Sequence, residues 1–381
     1  MNTYGVLLIG GKGTHQPTHA KVFASDPRCR LIAVTDEPSV SARRLKLNQQ
    51  LAEEYGVPYI SNLDEALLND DVDIVSICPE VERRGRIIPK CAAARKHLYL
   101  DKPLADTLTD ADAIVAAIEK HGVTHQMQLT QVNSHTGQAA KQAIDTEQIG
   151  ELVAIHADQY FGKGKSGTVP EGFVRNEQED IKRYTFLEAK AEFFDVGLYP
   201  IGLVQWLVDK PTTKVYAMTA NYFFAEHVKA GIEDFGAMAM TFEGGVTATI
   251  TAGRVGYMTH PMNGRSRLTI IGTKGVITYD PLRPHIDVYN DEPNFVMPKI
   301  HPEDPMGMFE AQSPEYSLMP RNRFVPLHED PTDDTTAFID CIERRIEPIM
   351  NVRRGAAVTE TILAGYISAT RGEEISLPLP R

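Results

Sequence analysis

Gly5-Val6-Leu7-Leu8-Ile9-Gly10-Gly11-Lys12-Gly13-Thr14-His15-Gln16-Pro17 is an unbroken apolar run that dissolves into glycines. Such a run reads as a strand buried on both faces. The glycines then open a turn into a helix. Three similar runs follow: Leu31 to Thr35, Ile74 to Cys78, and His97 to Leu100. Helix-like stretches separate them at His19 to Ala24, Ser41 to Tyr55, Leu63 to Leu68 and Arg84 to Arg95. Another runs from Thr109 to His121, capped by Gly122. Strands alternating with helices predict an α/β, doubly wound parallel sheet.

In that setting Gly11-x-Gly13 is a candidate phosphate-binding turn. Its backbone can approach a pyrophosphate, whose charge a helix N-terminus stabilises. Thr14, His15 and Gln16 complete the turn. Gln16 stands where the third glycine of the fingerprint belongs, and Pro17 suits a first helical turn. Asp36 ends the second strand, where a carboxylate accepts from a ribose diol and repels a 2′-phosphate. The cofactor expected is therefore NAD, with Arg43 and Arg44 leaving NADP open.

Past residue 123 the rhythm changes. Leu152 to Phe161, Thr213 to Phe224, Ala237 to Phe242, Val246 to Ala252, Arg267 to Ile271 and Val276 to Tyr279 read as strands. Turns such as Glu243-Gly244-Gly245 and Thr273-Lys274-Gly275 join them into an open, mostly antiparallel sheet. One helix is expected from Ala189 to Val208, carrying the only tryptophan, Trp206. Residues 281–332 show little periodicity and read as a long excursion, a substrate lid or an oligomer contact. Helices at Thr335 to Arg345 and Ala356 to Thr370 close the chain. We expect a Rossmann domain over 1–124 and an α/β substrate and oligomerisation domain over 125–381, its last helices packing back on the first domain.

Composition narrows the function. The 381 residues carry a net charge of −12, which argues against a nucleic-acid partner. The four cysteines have no metal-ligand spacing, so no metal is expected. His125, His156, His227 and His260 likewise show no pairing that suggests one. No apolar run reaches the ~20 residues of a membrane helix, and Met1 to Gly11 reads as a strand rather than a signal peptide. The expectation is a cytoplasmic protein with no membrane partner.

Lys96-His97-Leu98-Tyr99-Leu100-Asp101-Lys102-Pro103-Leu104 follows the fourth strand, and Asp195-Val196-Gly197-Leu198-Tyr199 lies far downstream. With Gly11-Lys12-Gly13 and His19-Ala20, and with Ile270-Ile271-Gly272-Thr273-Lys274-Gly275, the chain resembles the glucose–fructose oxidoreductase, inositol dehydrogenase and MocA family over nearly its whole length. The lysine segment is similar to the family's GKHVLCEKPL signature, with Asp101 replacing glutamate. The downstream segment is similar to DxGxH, with Tyr199 replacing histidine. Cys78-Pro79-Glu80-Val81-Glu82-Arg83 departs from the family's Thr-Pro-Asn-x-x-His loop at Glu80 and Arg83. The resemblance implies NAD(P)-dependent oxidation of a sugar, cyclitol or related diol. It also implies a cofactor set of Gly11, Gly13, Thr14, His15, Gln16, Asp36, Cys78, Pro79, Asp101 and Lys102.

The chemistry follows from residue types. Lys102 supplies a cation for a developing alkoxide beside the nicotinamide. Asp195 and Tyr199 are four apart and would share one helix face. Asp195 can bind a substrate hydroxyl. Tyr199 can donate or accept the proton, its pKa lowered by the nearby ammonium. Gly197 leaves room between them. Lys190, Arg183 and Tyr184, just before the helix, are candidates to face the pocket, though a surface charge or a packing aromatic is the preferred reading of each. The leading function is a hydride-transferring oxidoreductase with a small polyol or sugar-like substrate, working as a homodimer or homotetramer. An NAD-retaining hydrolase or isomerase that oxidises its substrate transiently, and a non-catalytic nucleotide- or sugar-binding homologue, are the alternatives.

Overall fold

A computed structural model describes residues 3–162, 169–179, 190–255, 264–281, 285–290, 322–325 and 333–381. The first sheet contains β1 (Tyr4–Ile9), β2 (Cys29–Thr35), β3 (Tyr59–Ile60), β4 (Ile74–Ile77), β5 (His97–Leu100) and β6 (His125–Met127). Their order is β3-β2-β1-β4-β5-β6, every pairing parallel. Helices α1 (Gln16–Ser25), α2 (Ala42–Tyr55), α3 (Leu63–Leu67), α4 (Arg84–Ala93) and α5 (Leu108–His121) make the crossovers.

The apolar run of β1 explains the layering. Alternate residues of a strand face opposite ways. Leu7 and Ile9 enter the main core, while Val6 and Leu8 enter a second core with Phe23, Tyr99 and Phe338. The helix ends follow local rules. Ser41 and Thr107 accept from the backbone N–H of Arg44 and Asp110, and Gly56 and Gly122 terminate α2 and α5 in the left-handed conformation.

The chain continues through α6 (Thr130–Asn133), α7 (His135–Asp145), β7 (Leu152–Gly162), α8 (Glu192–Asp195), α9 (Leu198–Val208), β8 (Thr212–Ala220), α10 (Ala225–Ala230), β9 (Phe235–Phe242) and β10 (Thr247–Val255). It then forms β11 (Gly264–Gly272), β12 (Gly275–Asp280), β13 (His285–Asn290), β14 (Asn322–Phe324), α11 (Asp333–Arg344), α12 (Val352–Arg371) and β15 (Ile375–Ser376). The second sheet runs β14-β13-β12-β11-β7-β10-β9-β8-β15, and among the described residues β7–β10 is its one parallel pairing. Residues such as Val215, Met238 and Ile250 face helices α8, α9 and α12 and are buried. On the opposite face Tyr216 and Met218 are exposed.

Two expectations need correction. The single helix over 189–208 is two segments, α8 and α9, broken at Val196-Gly197. Residues 281–332 hold two strands, β13 and, at the sheet edge, β14; the rest of that stretch, and with it the lid or contact reading, lies outside the described residues. Helix α11 returns to the first sheet. Its Phe338, Ile339 and Ile342 join the second core, and Tyr99 donates to Asp334 at 2.6 Å.

Candidate active site

The β1–α1 turn is shaped by two glycines for different reasons. Gly13 sits at φ +79°, which favours glycine. Gly11 is a matter of packing: a Cβ there would lie 2.6 Å from Asn48 Cα and from the Leu47 carbonyl oxygen, because α2 presses on the turn. Gln16 is turned inward and fully buried. Its Nε2 donates to the Ser76 carbonyl at 3.2 Å, and Ser76 Oγ donates to its Oε1 at 3.1 Å. A small residue on β4 thus accommodates the amide where a third glycine would let helix and strand approach.

Loops after β4 and β5 form the opposite wall. Arg84, at the start of α4, is buried and ties them together. It donates to the carbonyls of Pro79 (3.1 Å), Asp101 (2.7 Å) and Pro103, and to the Asp101 carboxylate (2.7 Å). His15 Nδ1 lies 2.8 Å from the other Asp101 oxygen. Burial raises the Asp101 pKa, but His15 and Arg84 outweigh it and hold the carboxyl well below the usual range. Behind it, His19 lies 3.0 Å from Cys78 Sγ and 3.1 Å from Gln128 Oε1. Burial lowers the His19 pKa to about 4 and pushes the Cys78 thiol up. His19, Cys78 and Asp101 bring ligand-type atoms within 4.8 Å of one another, with Asp101 already held by Arg84 and His15.

These walls enclose a cleft of about 280 Å³. Gly13, Thr14, His15, Pro79, Asp101 and Lys102 line it from the first sheet, and Lys190, Phe194 and Asp195 close its far end. Gly11, Gln16, Asp36 and Cys78, which the resemblance placed in the cofactor set, lie behind this lining. Gly11 serves α2, Gln16 and Cys78 face inward, and Asp36 is spoken for. Asp36 is fully buried; its oxygens accept from Arg83 Nη1 (2.6 Å) and Nη2 (3.2 Å), from Asn48 Nδ2 (2.8 Å) and from the Glu37 N–H (2.8 Å). The glycine turn and the Asp101–Lys102 wall fit a nicotinamide and pyrophosphate. Asp36 is not free to take a ribose diol in this arrangement.

At the far end the three residues expected to act come together. Lys102 Nζ donates to Asp195 Oδ1 at 2.9 Å and to the Asp195 carbonyl at 3.0 Å, and it lies 4.6 Å from the centre of the Tyr199 ring. Burial opposes both charges of the ion pair. Asp195 nonetheless raises the Lys102 pKa, and Lys102 with Lys190 and Arg254 holds Asp195 well below the usual carboxylate range. Tyr199 differs from expectation. Burial raises its pKa, and Lys102, over the ring, offsets this only in part. Gly197 also differs: a Cβ there would meet the Phe193 carbonyl at 2.3 Å, so the glycine permits the α8–α9 break rather than making room for ligand.

Tyr199 lines a second cavity, about 270 Å³, with Thr130, Gln131, Ser134, Gln159, Phe161 and Pro281. The ring edge meets Phe161, over which Arg254 lies at 5.9 Å. Arg254 also donates to Glu192 at 2.9 Å and stands 3.6 Å from Asp195. Sequence reasoning missed Arg84, Arg254 and Gln131; Lys190 is exposed and also lines the cleft. Arg183 and Tyr184 lie outside the described residues. Arg84 follows directly on the Pro79 loop and was open to discovery; Arg254 and Gln131 depend on strand register and a distant helix.

A parallel sheet with a glycine turn, whose Lys102 meets Asp195 and Tyr199 from the helices beside the second sheet, defines a dinucleotide-dependent oxidoreductase. Residues 4–129 match the family model for the oxidoreductase family with an NAD-binding Rossmann fold, and residues 138–278 match the GFO/IDH/MocA C-terminal domain. The chain belongs to the GFO/IDH/MocA oxidoreductase family and is an NAD(P)-dependent dehydrogenase. It is 23% identical over 384 residues to the scyllo-inositol 2-dehydrogenase (NAD(+)) of Bacillus subtilis (strain 168), covering 99% of this chain and 96% of that protein. It is 23% identical over 288 residues to the myo-inositol 2-dehydrogenase of Thermotoga maritima, covering 76% and 78%. The structure of GenD2 from gentamicin A biosynthesis in complex with NAD shares the fold, with a TM-score of 0.70 at 20% identity over 100% of this chain and 97% of that one. No described helix is long and apolar enough to cross a membrane.

Proposed function

We propose that the protein transfers a hydride between NAD and a secondary alcohol or ketone of an uncharged sugar, cyclitol or related cyclic diol. The observation that carries this reading is the Lys102–Asp195 ion pair at the end of the cofactor cleft, with Tyr199 opening onto a second cavity. That cavity is lined by hydroxyl, amide and aromatic groups without a formal charge, and Gln131 Oε1 is buried there with no partner among the described residues. A hydroxyl-rich, uncharged ligand would satisfy it. Relatives named as inositol dehydrogenases agree with such a substrate.

When bound, the nicotinamide exchanges the hydride; the chain's residues handle the proton and the oxygen. Lys102 remains an ammonium and Tyr199 a neutral phenol at neutral pH, so both are donors. They stabilise and protonate an alkoxide oxygen formed on reduction. Asp195 stays ionised, fixes the ammonium and can accept from a neighbouring substrate hydroxyl. In the oxidative direction a proton must first leave one of these donors, so oxidation is favoured by alkali.

The test is to load the purified protein with NAD and screen uncharged cyclic polyols, sugars and diols against sugar acids, following NADH by its near-ultraviolet absorbance. Reduction by the uncharged class supports the reading. Reduction by sugar acids alone overturns the substrate class, and turnover of a substrate with no net NADH moves the reading to transient oxidation. The exposed face of the second sheet, with Tyr216 and Met218, is also the surface we assign to a homodimer or homotetramer. A monomer by light scattering contradicts that assignment.

A further inference from the structure

The adenosine end of the cofactor cleft departs from the rule that a carboxylate ending β2 takes the ribose diol. The two loop positions that break the family pattern, Glu80 and Arg83, answer each other. Arg83 Nε and Nη2 donate to Glu80 Oε2 at 3.0 and 2.6 Å. The other Glu80 oxygen takes Arg44 Nε at 2.8 Å and Arg44 Nη2. Arg44 reaches it from the first turn of α2, and its Nη1 also donates to the Lys12 carbonyl in the glycine turn at 2.8 Å. Arg83 continues to Asp36 and to Glu37, whose carboxylate also holds Arg86. Three carboxylates, Asp36, Glu37 and Glu80, thus balance three guanidiniums, Arg44, Arg83 and Arg86. Of these carboxylates Glu80 lines the cleft, as does Arg44, while Asp36 does not.

We propose that Glu80, rather than Asp36, decides which nicotinamide nucleotide this protein takes: by holding Arg44, the guanidinium of this cluster that lines the cleft, it denies that group to a 2′-phosphate and so selects NAD over NADP. This rests on the cofactor reading above. Arg44 on the cleft wall would otherwise offer a phosphate site, because planar guanidiniums pair readily with phosphate oxygens. With Glu80 present, a 2′-phosphate must displace a carboxylate already making charge-assisted bonds, and it meets two further carboxylates in Asp36 and Glu37. Burial raises the Glu80 pKa, but Arg83 and Arg44 outweigh it and keep the group ionised. With Glu80 uncharged, Arg44 on the cleft wall is no longer balanced by it, while Arg83 stays on Asp36 and Glu37.

The test is calorimetric titration of cofactor-stripped wild type and Glu80→Gln with NADH and NADPH. Wild type should prefer NADH. Glu80→Gln should raise NADPH affinity relative to NADH by about ten-fold or more, as expected for freeing charged donors. Glu37→Gln, half-buried and off the buried Arg44–Glu80 pair, should shift the ratio the same way by a smaller factor, about three-fold. That variant carries the test if Glu80→Gln does not fold. Equal affinities in wild type, or a ratio unmoved in both variants, overturns the proposal. Because the readout is binding, a protein that turns over no polyol refutes the substrate reading and leaves this one standing on its own result.

Discussion

Replacing Lys102 by methionine keeps the length of the side chain and removes its charge. Two consequences follow from the geometry. The side chains of Lys102 and Asp195 are only 2% and 15% exposed, so the variant leaves a largely desolvated carboxylate without its nearest cation. Breaking one side of a buried pair typically costs about 3–5 kcal/mol. Arg254 at 3.6 Å still compensates part of the Asp195 charge, which places the expected loss near the lower end, about 3 kcal/mol. Separately, the cation that meets the developing alkoxide is gone. Loss of one such donor costs about a hundred- to a thousand-fold in kcat. The assay is urea unfolding together with single-turnover kinetics at saturating cofactor. Adding Asp195→Asn should recover much of the stability and none of the rate. A Lys102→Met enzyme within about ten-fold of wild-type kcat would refute the reasoning.

Other consequences are open to measurement. Tyr199→Phe should lower reductive kcat by about ten- to a hundred-fold while keeping the ring beneath Lys102, whereas Tyr199→Leu should also loosen the lysine; equal kinetics for wild type and Tyr199→Phe would remove the phenol from the chemistry. Because Lys102 and Tyr199 both titrate above their ordinary values, oxidation should quicken steadily with alkali and reduction should stay flat across neutrality, and a break near neutral pH in either profile would point to a different acid. His19 titrates at 6.5 when unfolded and at about 4 when buried, so the unfolded chain binds the extra proton between those values and stability falls as pH drops through that window. By about pH 4.5 this amounts to about 2–3 kcal/mol, which His19→Gln should abolish in urea titrations. Ser76→Ala, which removes the hydroxyl donor to buried Gln16, should destabilise the protein by about 1–2 kcal/mol; an unchanged unfolding midpoint would show that Gln16 needs no such partner.

Much of the first sheet was legible because its evidence is local. The runs in β1, β2, β4 and β5 are apolar on both faces, and their order with the helices dictates a parallel sheet. β3 and β6 escaped notice because two and three residues carry no period. The break between α8 and α9 was hidden by a uniformly apolar stretch; it depends on Gly197 meeting the Phe193 carbonyl. Lys102, Asp195 and Tyr199 were singled out from the resemblance and from residue type, and they lie together; the sign of the Tyr199 shift was not legible, because the extent of burial is a tertiary property. Asp36 read as a ribose ligand from position alone. Its capture by Arg83, 47 positions on, is a long-range pairing that no pattern within β2 contains.

The most direct test of the central claim is the single-turnover reduction of enzyme-bound NAD by an uncharged cyclic polyol, followed by absorbance in wild type and Lys102→Met. The account predicts a rise in wild type that is lost or slowed about a hundred-fold or more in the variant. A rise of equal rate in both proteins would contradict it.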